Sequence, residues 1–194
     1  MNEFEGFKKE KLTIDLVWAN IFAFLLIIPI ASIFGVPFFF IWKSELLNMQ
    51  DIMKTIFENN IILKIPFVLI IGIIAHELIH GIVWAVFAKN GFKSIKFGVL
   101  WKMITPYCHC KEPLKVKHYI LGGIAPAIVL GIIPAITAMF TGNIWLLIFG
   151  IFFTLAGGGD FLTINLLRKE NSDDYVEDHP SEAGCFIYRK ETDK

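Results

Sequence analysis

Residues 65 to 88 read Ile65-Pro66-Phe67-Val68-Leu69-Ile70-Ile71-Gly72-Ile73-Ile74-Ala75-His76-Glu77-Leu78-Ile79-His80-Gly81-Ile82-Val83-Trp84-Ala85-Val86-Phe87-Ala88, and the only ionisable side chains among them are His76, Glu77 and His80. As a helix rising about 1.5 Å per residue, this segment is long enough to cross a hydrocarbon core of about 30 Å. Lys89, Asn90 and Gly91 then stop it. An apolar span with one compact polar cluster sets both the fold class and the place to look for chemistry.

The rest of the chain agrees with a membrane class. Of its 194 residues 55% are apolar and only 19% charged, too little charge for an ordinary soluble domain. Residues 16 to 42 carry no charge and form a first span, with Trp18 and Trp42 at its interfacial ends and Pro29 and Pro37 expected to kink it. From Lys43 to Asn60 apolar residues recur at helical spacing in a polar background, as in an interfacial or extramembrane helix. The uncharged run from Tyr119 to Gly159 is too long for one span and is divided by Thr141, Gly142 and Asn143. The first half of that run is rich in small residues and proline, as in a helix packed closely on its neighbours.

The expected fold is therefore mainly α: a polytopic membrane helix bundle of about four spans, at about 16–42, 62–88, 119–140 and 144–167. Residues 1–167 form the membrane-embedded domain and 168–194 a polar tail with a strand at Cys185 to Arg189. Between spans two and three, Phe92 to Tyr107 mixes β-branched and aromatic residues in partial alternation, which predicts a strand pair or small β-hairpin.

Net charge is zero, which excludes a general electrostatic affinity for nucleic acid. Lysine and arginine concentrate in the amino-terminal segment, in residues 89 to 118 and after Arg168. By the positive-inside rule both termini and the 89 to 118 loop are cytoplasmic, in a protein of the plasma membrane. The first apolar run is longer than a signal-peptide core and is expected to stay as an anchor. Three cysteines, Cys108, Cys110 and Cys185, make no even disulfide framework and read as reduced thiols.

His76-Glu77-Leu78-Ile79-His80 puts two imidazoles on nearly one helix face, one turn apart, where they can grip one metal ion. The glutamate between them can act as general base on a metal-bound water. Within a span, ionisable residues cost roughly 2.5 to 3.5 kcal/mol each on insertion scales, so such a cluster reads as functional before it reads as a hydrogen-bonded knot between helices. A catalytic zinc commonly has three protein ligands and an open position. Asp160 is the outstanding third, as the only acid in the long uncharged run and its continuation to Leu167, and Gly157-Gly158-Gly159 before it allows a close or unwound backbone. Counted from the flanking charges at about 1.5 Å per residue, Asp160 and the histidine pair lie at similar depths, about 12 and 16 Å. Cys108-His109-Cys110 lacks a matching second pair, His118 reads as interfacial, and Asp178 and His179 read as a turn before Pro180 unless the tail folds back on the site.

With these residues the chain resembles the site-2-type intramembrane zinc proteases, which carry His-Glu-x-x-His in one helix and a metal-binding aspartate in a later one. The closer resemblance is to a small membrane family described as zincin peptidases, through His76 to Gly81, the Gly159-Asp160 pair, and Asp178-His179-Pro180-x-x-x-Gly184 followed by Phe186-Ile187-Tyr188. The aspartate stands here in Gly-Gly-Gly-Asp-Phe, where typical site-2 enzymes have Asn-Pro-Asp-Gly. The reading is a membrane zinc endopeptidase with Zn2+ held by His76, His80 and Asp160, and with Glu77 as general base. Its expected partners are the lipid bilayer and a membrane or membrane-proximal protein substrate. Its rivals are a metal-binding or metal-transporting membrane protein without peptidase activity, and a relative that has lost catalysis.

Overall fold

The computed structural model describes residues 6–46, 60–101, 105–179 and 182–190. Most of the helix expected between Lys43 and Asn60 lies outside these residues.

Strand β1 (Phe7–Thr13) leads into helix α1 (Leu16–Leu46), whose first turn is capped by Asp15: its carboxylate accepts the Trp18 N–H at 2.8 Å. Helix α2 (Ile61–Phe87) carries the His-Glu-x-x-His segment. A short 3₁₀ turn leads to the hairpin β2 (Ile95–Leu100) and β3 (Thr105–Cys110), then to the short strand β4 (Leu114–Lys115). The third span is α3 (Val116–Pro126), a π-helical stretch (Ala127–Ile132) and α4 (Ile133–Thr141). Helices α5 (Ile144–Ala156) and α6 (Gly158–Leu167) follow, and strands β5 (Tyr175–Asp178) and β6 (Gly184–Lys190) end the described chain.

Three helical stretches are long and apolar enough to cross a membrane, and α5 with α6, bent by 43° at their junction, make a fourth. Sheet topology favours counting four. Strands β1, β6, β5 and β4 lie in that order in one antiparallel sheet, although they precede the first span, follow the last, and separate the second from the third. A chain that returns to one sheet after α2 and again after α6 has crossed an even number of times. Large apolar side chains along α1 and α2, such as Phe24, Ile28, Phe67 and Ile71, point away from the protein, as lipid-facing residues do.

Pro29 and Pro37 lie inside α1, but the residue with non-helical backbone is Trp42 (φ −115°, ψ 22°). Its indole N–H donates to the Met139 carbonyl at 3.0 Å, closing the end of α4, where Gly142 (φ +69°) takes the left-handed conformation that ends a helix without strain. The third and fourth spans meet where Gly150 lies against the backbone of Gly131 and Ala135; a β-carbon at either glycine would collide with the facing helix.

The hairpin occupies the predicted place but does not hang free of the helices. At its base Glu112 accepts hydrogen bonds from the Lys89 N–H (2.8 Å), the Ser94 hydroxyl (2.7 Å) and the Asn90 amide, tying it to the end of α2. From there it runs back along α2, with Ile95 and Phe97 against Gly81. The tail is more than an extension with one strand. Strand β6 alternates, burying Cys185 and Ile187 against Trp84, Val116 and Leu167 while Phe186 and Tyr188 receive the Lys9 ammonium on the other face. Sheet, hairpin and the near ends of α2, α3 and α6 thus share one core. A separate cluster around Phe38, Ala138 and Leu147 closes the far end of the bundle.

Candidate metal centre

One turn of α2 sets His76 and His80 edge to face, with ring centroids 4.9 Å apart. Asp160 comes to them from the first turn of α6. The chain unwinds at Gly157 (φ −71°, ψ 7°), and the 43° bend there turns the start of α6 towards α2. A β-carbon at Gly159 would meet nothing within 4 Å, so the triple glycine acts through the backbone break at Gly157 and not through close packing at Gly159.

His76 Nε2 lies 3.3 Å from Asp160 Oδ2, and His80 Nε2 lies 3.4 Å from Asp160 Oδ1. Among the described residues, these three form a group in which one ligand atom from each lies within 4.8 Å of the others. The spacing is long for a hydrogen bond to a carboxylate, which closes to about 2.7 to 2.9 Å. It is the spacing of ligands sharing an ion: two atoms about 2.0 to 2.1 Å from a tetrahedral zinc are about 3.3 to 3.4 Å apart.

Proton placement points the same way. His80 Nδ1 lies 2.8 Å from the Gly122 carbonyl oxygen, which can only accept, so Nδ1 carries a proton and Nε2 is the nitrogen turned to Asp160, as a lone pair or as a second N–H. A lone pair facing a carboxylate repels it unless a proton or a cation stands between. A histidine with its far nitrogen tied to a backbone carbonyl is the usual second layer of a metal site. His76 Nδ1, by contrast, is buried and has no hydrogen-bond partner among the described residues, leaving that ring to be held from its Nε2 side.

The support of His80 extends outward as a stack. Its ring lies on the Trp84 indole (5.1 Å, 18°), which lies on the Tyr119 ring (5.2 Å, 21°), and Trp84 Nε1 donates to the Tyr119 carbonyl at 3.0 Å. Glu77 shares a cavity of about 940 Å³ with His76, His80 and Asp160. Cys108 of β3 lines the same cavity. A shallower depression of about 460 Å³ on α1 is lined almost wholly by apolar side chains and holds no group suited to catalysis.

The cavity wall includes residues that the linear sequence left apart: β3 from Thr105 to His109, Thr13 to Asp15 at the end of β1, and Asp178, His179 and Glu182 from the tail. The tail therefore does fold back. Asp178 is the last residue of a strand, not part of a turn, and the chain turns after it, with the His179 N–H donating to the Gly184 carbonyl at 3.2 Å. Burial pushes the Asp178 carboxyl above its ordinary range, against the pull of His109, the Tyr119 hydroxyl and the Cys110 amide. His109 lies beside Tyr107 on the cavity wall, whereas His118 stacks on Phe87 (3.9 Å) outside the cavity lining. Cys108 and Cys110 take the buried alternate positions of β3 and, like Cys185, are free thiols. Of the residues that support His80, Trp84 was within reach of a sequence reading, since it lies one turn beyond His80 on the same face.

No curated protein and no solved structure matches the chain. The profile of the family described as "Putative zincin peptidase" matches residues 69–175, more than half the chain, from within α2 before His76 to the first residue of β5, and the chain belongs to that family.

Proposed function

We propose that the protein is a membrane-embedded zinc endopeptidase in which His76, His80 and Asp160 hold the metal and Glu77 is the general base. The observation that carries this reading is the convergence of two imidazole nitrogens on one carboxylate at 3.3 and 3.4 Å inside apolar spans. When bound, zinc supplies Lewis acidity, making a water nucleophilic near neutral pH and polarising a peptide carbonyl. Glu77, next in sequence to His76 and facing the same cavity, takes the proton of the attacking water and delivers it to the leaving amine. Asp160 and the two histidines leave one side of the cluster to the cavity, where a peptide enters.

The substrate is a membrane or membrane-proximal protein, presented in extended form. A helical segment hides its carbonyls in its own hydrogen bonds, and β3 borders the cavity beside Glu77, where its outward-turned main-chain carbonyls can accept from an extended peptide. The active site opens to the cytoplasmic side, where the lysine-rich segments lie by the positive-inside rule.

The deciding experiment compares wild-type and Glu77→Gln proteins, loaded with zinc, on membrane-protein fragments. Glutamine preserves shape while removing the base, so the variant should keep its zinc and bind fragments but cleave them 10²- to 10⁴-fold more slowly. Undiminished cleavage by Glu77→Gln would sink the mechanism. Zinc binding without cleavage in the wild type, across a broad fragment set, would favour a metal-handling role.

A further inference from the structure

The carboxyl-terminal segment and the metal cluster meet at Asp178. Its Oδ1 accepts the Tyr119 hydroxyl at 2.5 Å and its Oδ2 accepts the Cys110 main-chain N–H at 2.9 Å. Tyr119 and Cys110 are both buried, so neither donor has water as a ready substitute. Each leads to a different half of the site. Tyr119 carries the stack through Trp84 to the ring of His80. Cys110 ends β3, two residues beyond Cys108, which lines the cavity together with Glu77.

Hydrogen-bond parity explains why Cys110 looks outward. The Lys111 N–H bonds the Ser94 carbonyl across the hairpin, so in an antiparallel ladder the alternate residues Cys110, Cys108 and Pro106 turn their backbone groups away from β2. Pro106 has no N–H to offer, and the Cys110 N–H meets the Asp178 carboxylate. Asp178 itself is held firmly, at the end of a strand flanked by β4 and β6. A carboxylate suits the position because both neighbours are donors; an asparagine has only one acceptor oxygen and would set its NH2 against the other donor.

We propose that Asp178 is a positioning residue for the metal centre: through Tyr119 it fixes the orientation of His80, and through Cys110 it fixes β3 beside Glu77. The inference rests on the zinc-peptidase reading, and makes the segment after the last span part of the working site.

The test uses the full chain, zinc-loaded in detergent, with zinc affinity measured by chelator competition and the visible spectrum of the Co2+-substituted protein recorded alongside. Asp178→Asn should weaken zinc binding about 10- to 100-fold, as losses around a ligating histidine do, and shift the Co2+ bands. Tyr119→Phe, which keeps the ring and its stack, should move both readouts in the same direction, and the double variant should be no worse than Asp178→Asn. Arg189→Ala breaks the Glu170 pair (2.7 Å) in the same sheet and should leave affinity and spectrum unchanged, even if it lowers thermal stability. Wild-type affinity and spectrum in Asp178→Asn would overturn the inference and leave the peptidase reading standing. If Asp178→Asn does not fold, the same result in Tyr119→Phe overturns it. A wild-type chain that binds no metal would overturn both.

Discussion

His80 Nδ1 lies 2.8 Å from the carbonyl oxygen of Gly122, so one backbone group of the third span decides which nitrogen of a second-span histidine faces Asp160. The approach depends on Gly122 having no side chain, since a β-carbon there would run into the Trp84 indole. Gly122→Ala must push Trp84 or α3 aside and so tilt the ring stacked on Trp84. Zinc affinity by chelator competition should fall about 10- to 100-fold, the range for lost second-layer support. Wild-type affinity in a folded Gly122→Ala protein would mean that the stack does not hold the imidazole.

One zinc per chain is expected in elemental analysis of the purified protein. Removing any of the three converging side chains should release it, because two ligands in a water-accessible cavity hold a divalent ion poorly. Full retention in Asp160→Ala, with loss in His76→Ala and His80→Ala, would remove Asp160 from the ligand set.

The native cysteines will not report topology. All three are buried, and burial raises the thiols, Cys110 to about 11, Cys185 to about 12 and Cys108 further still, so little thiolate forms near neutral pH. In the folded protein they should resist a maleimide from either side of the membrane. Reporters belong at exposed positions, Lys169→Cys after the last span and Thr141→Cys between the third and fourth. In intact cells an impermeant reagent should modify Thr141→Cys and spare Lys169→Cys. The reverse pattern would invert the orientation.

Proline substitutions separate the hairpin's own ladder from the edge offered to a substrate. The edge beside the metal cluster belongs to β3, so a scan of β2 tests support for that edge and not the edge itself. Lys96 pairs with His109 in the register that bonds across the hairpin, whereas Val99 stands opposite Pro106 with its N–H turned outward. Lys96→Pro should slow cleavage at least tenfold with zinc retained, and Val99→Pro should leave it within a few-fold of wild type. Equal losses from both would point to the outer edge of β2 as the docking strand.

Composition and local pattern alone determined the membrane class, the spans and the metal motif. Uncharged runs longer than a bilayer is thick, and two histidines one helical turn apart, are one-dimensional signals, because the physics behind them acts along a single segment. Asp160 was legible for the same reason, as a lone acid after a long uncharged run. Placing Asp178 needed the tertiary structure. Its strand follows the last span and reaches the cavity only by pairing with β4 and β6, and its partners Tyr119 and Cys110 lie 59 and 68 residues away in sequence. The break in helical backbone at Trp42 likewise coincides with a contact with Met139, 97 residues distant. Pairing across such separations is decided by which faces of the folded elements remain to be buried and which donors remain to be satisfied, and neither quantity exists until the spans have packed.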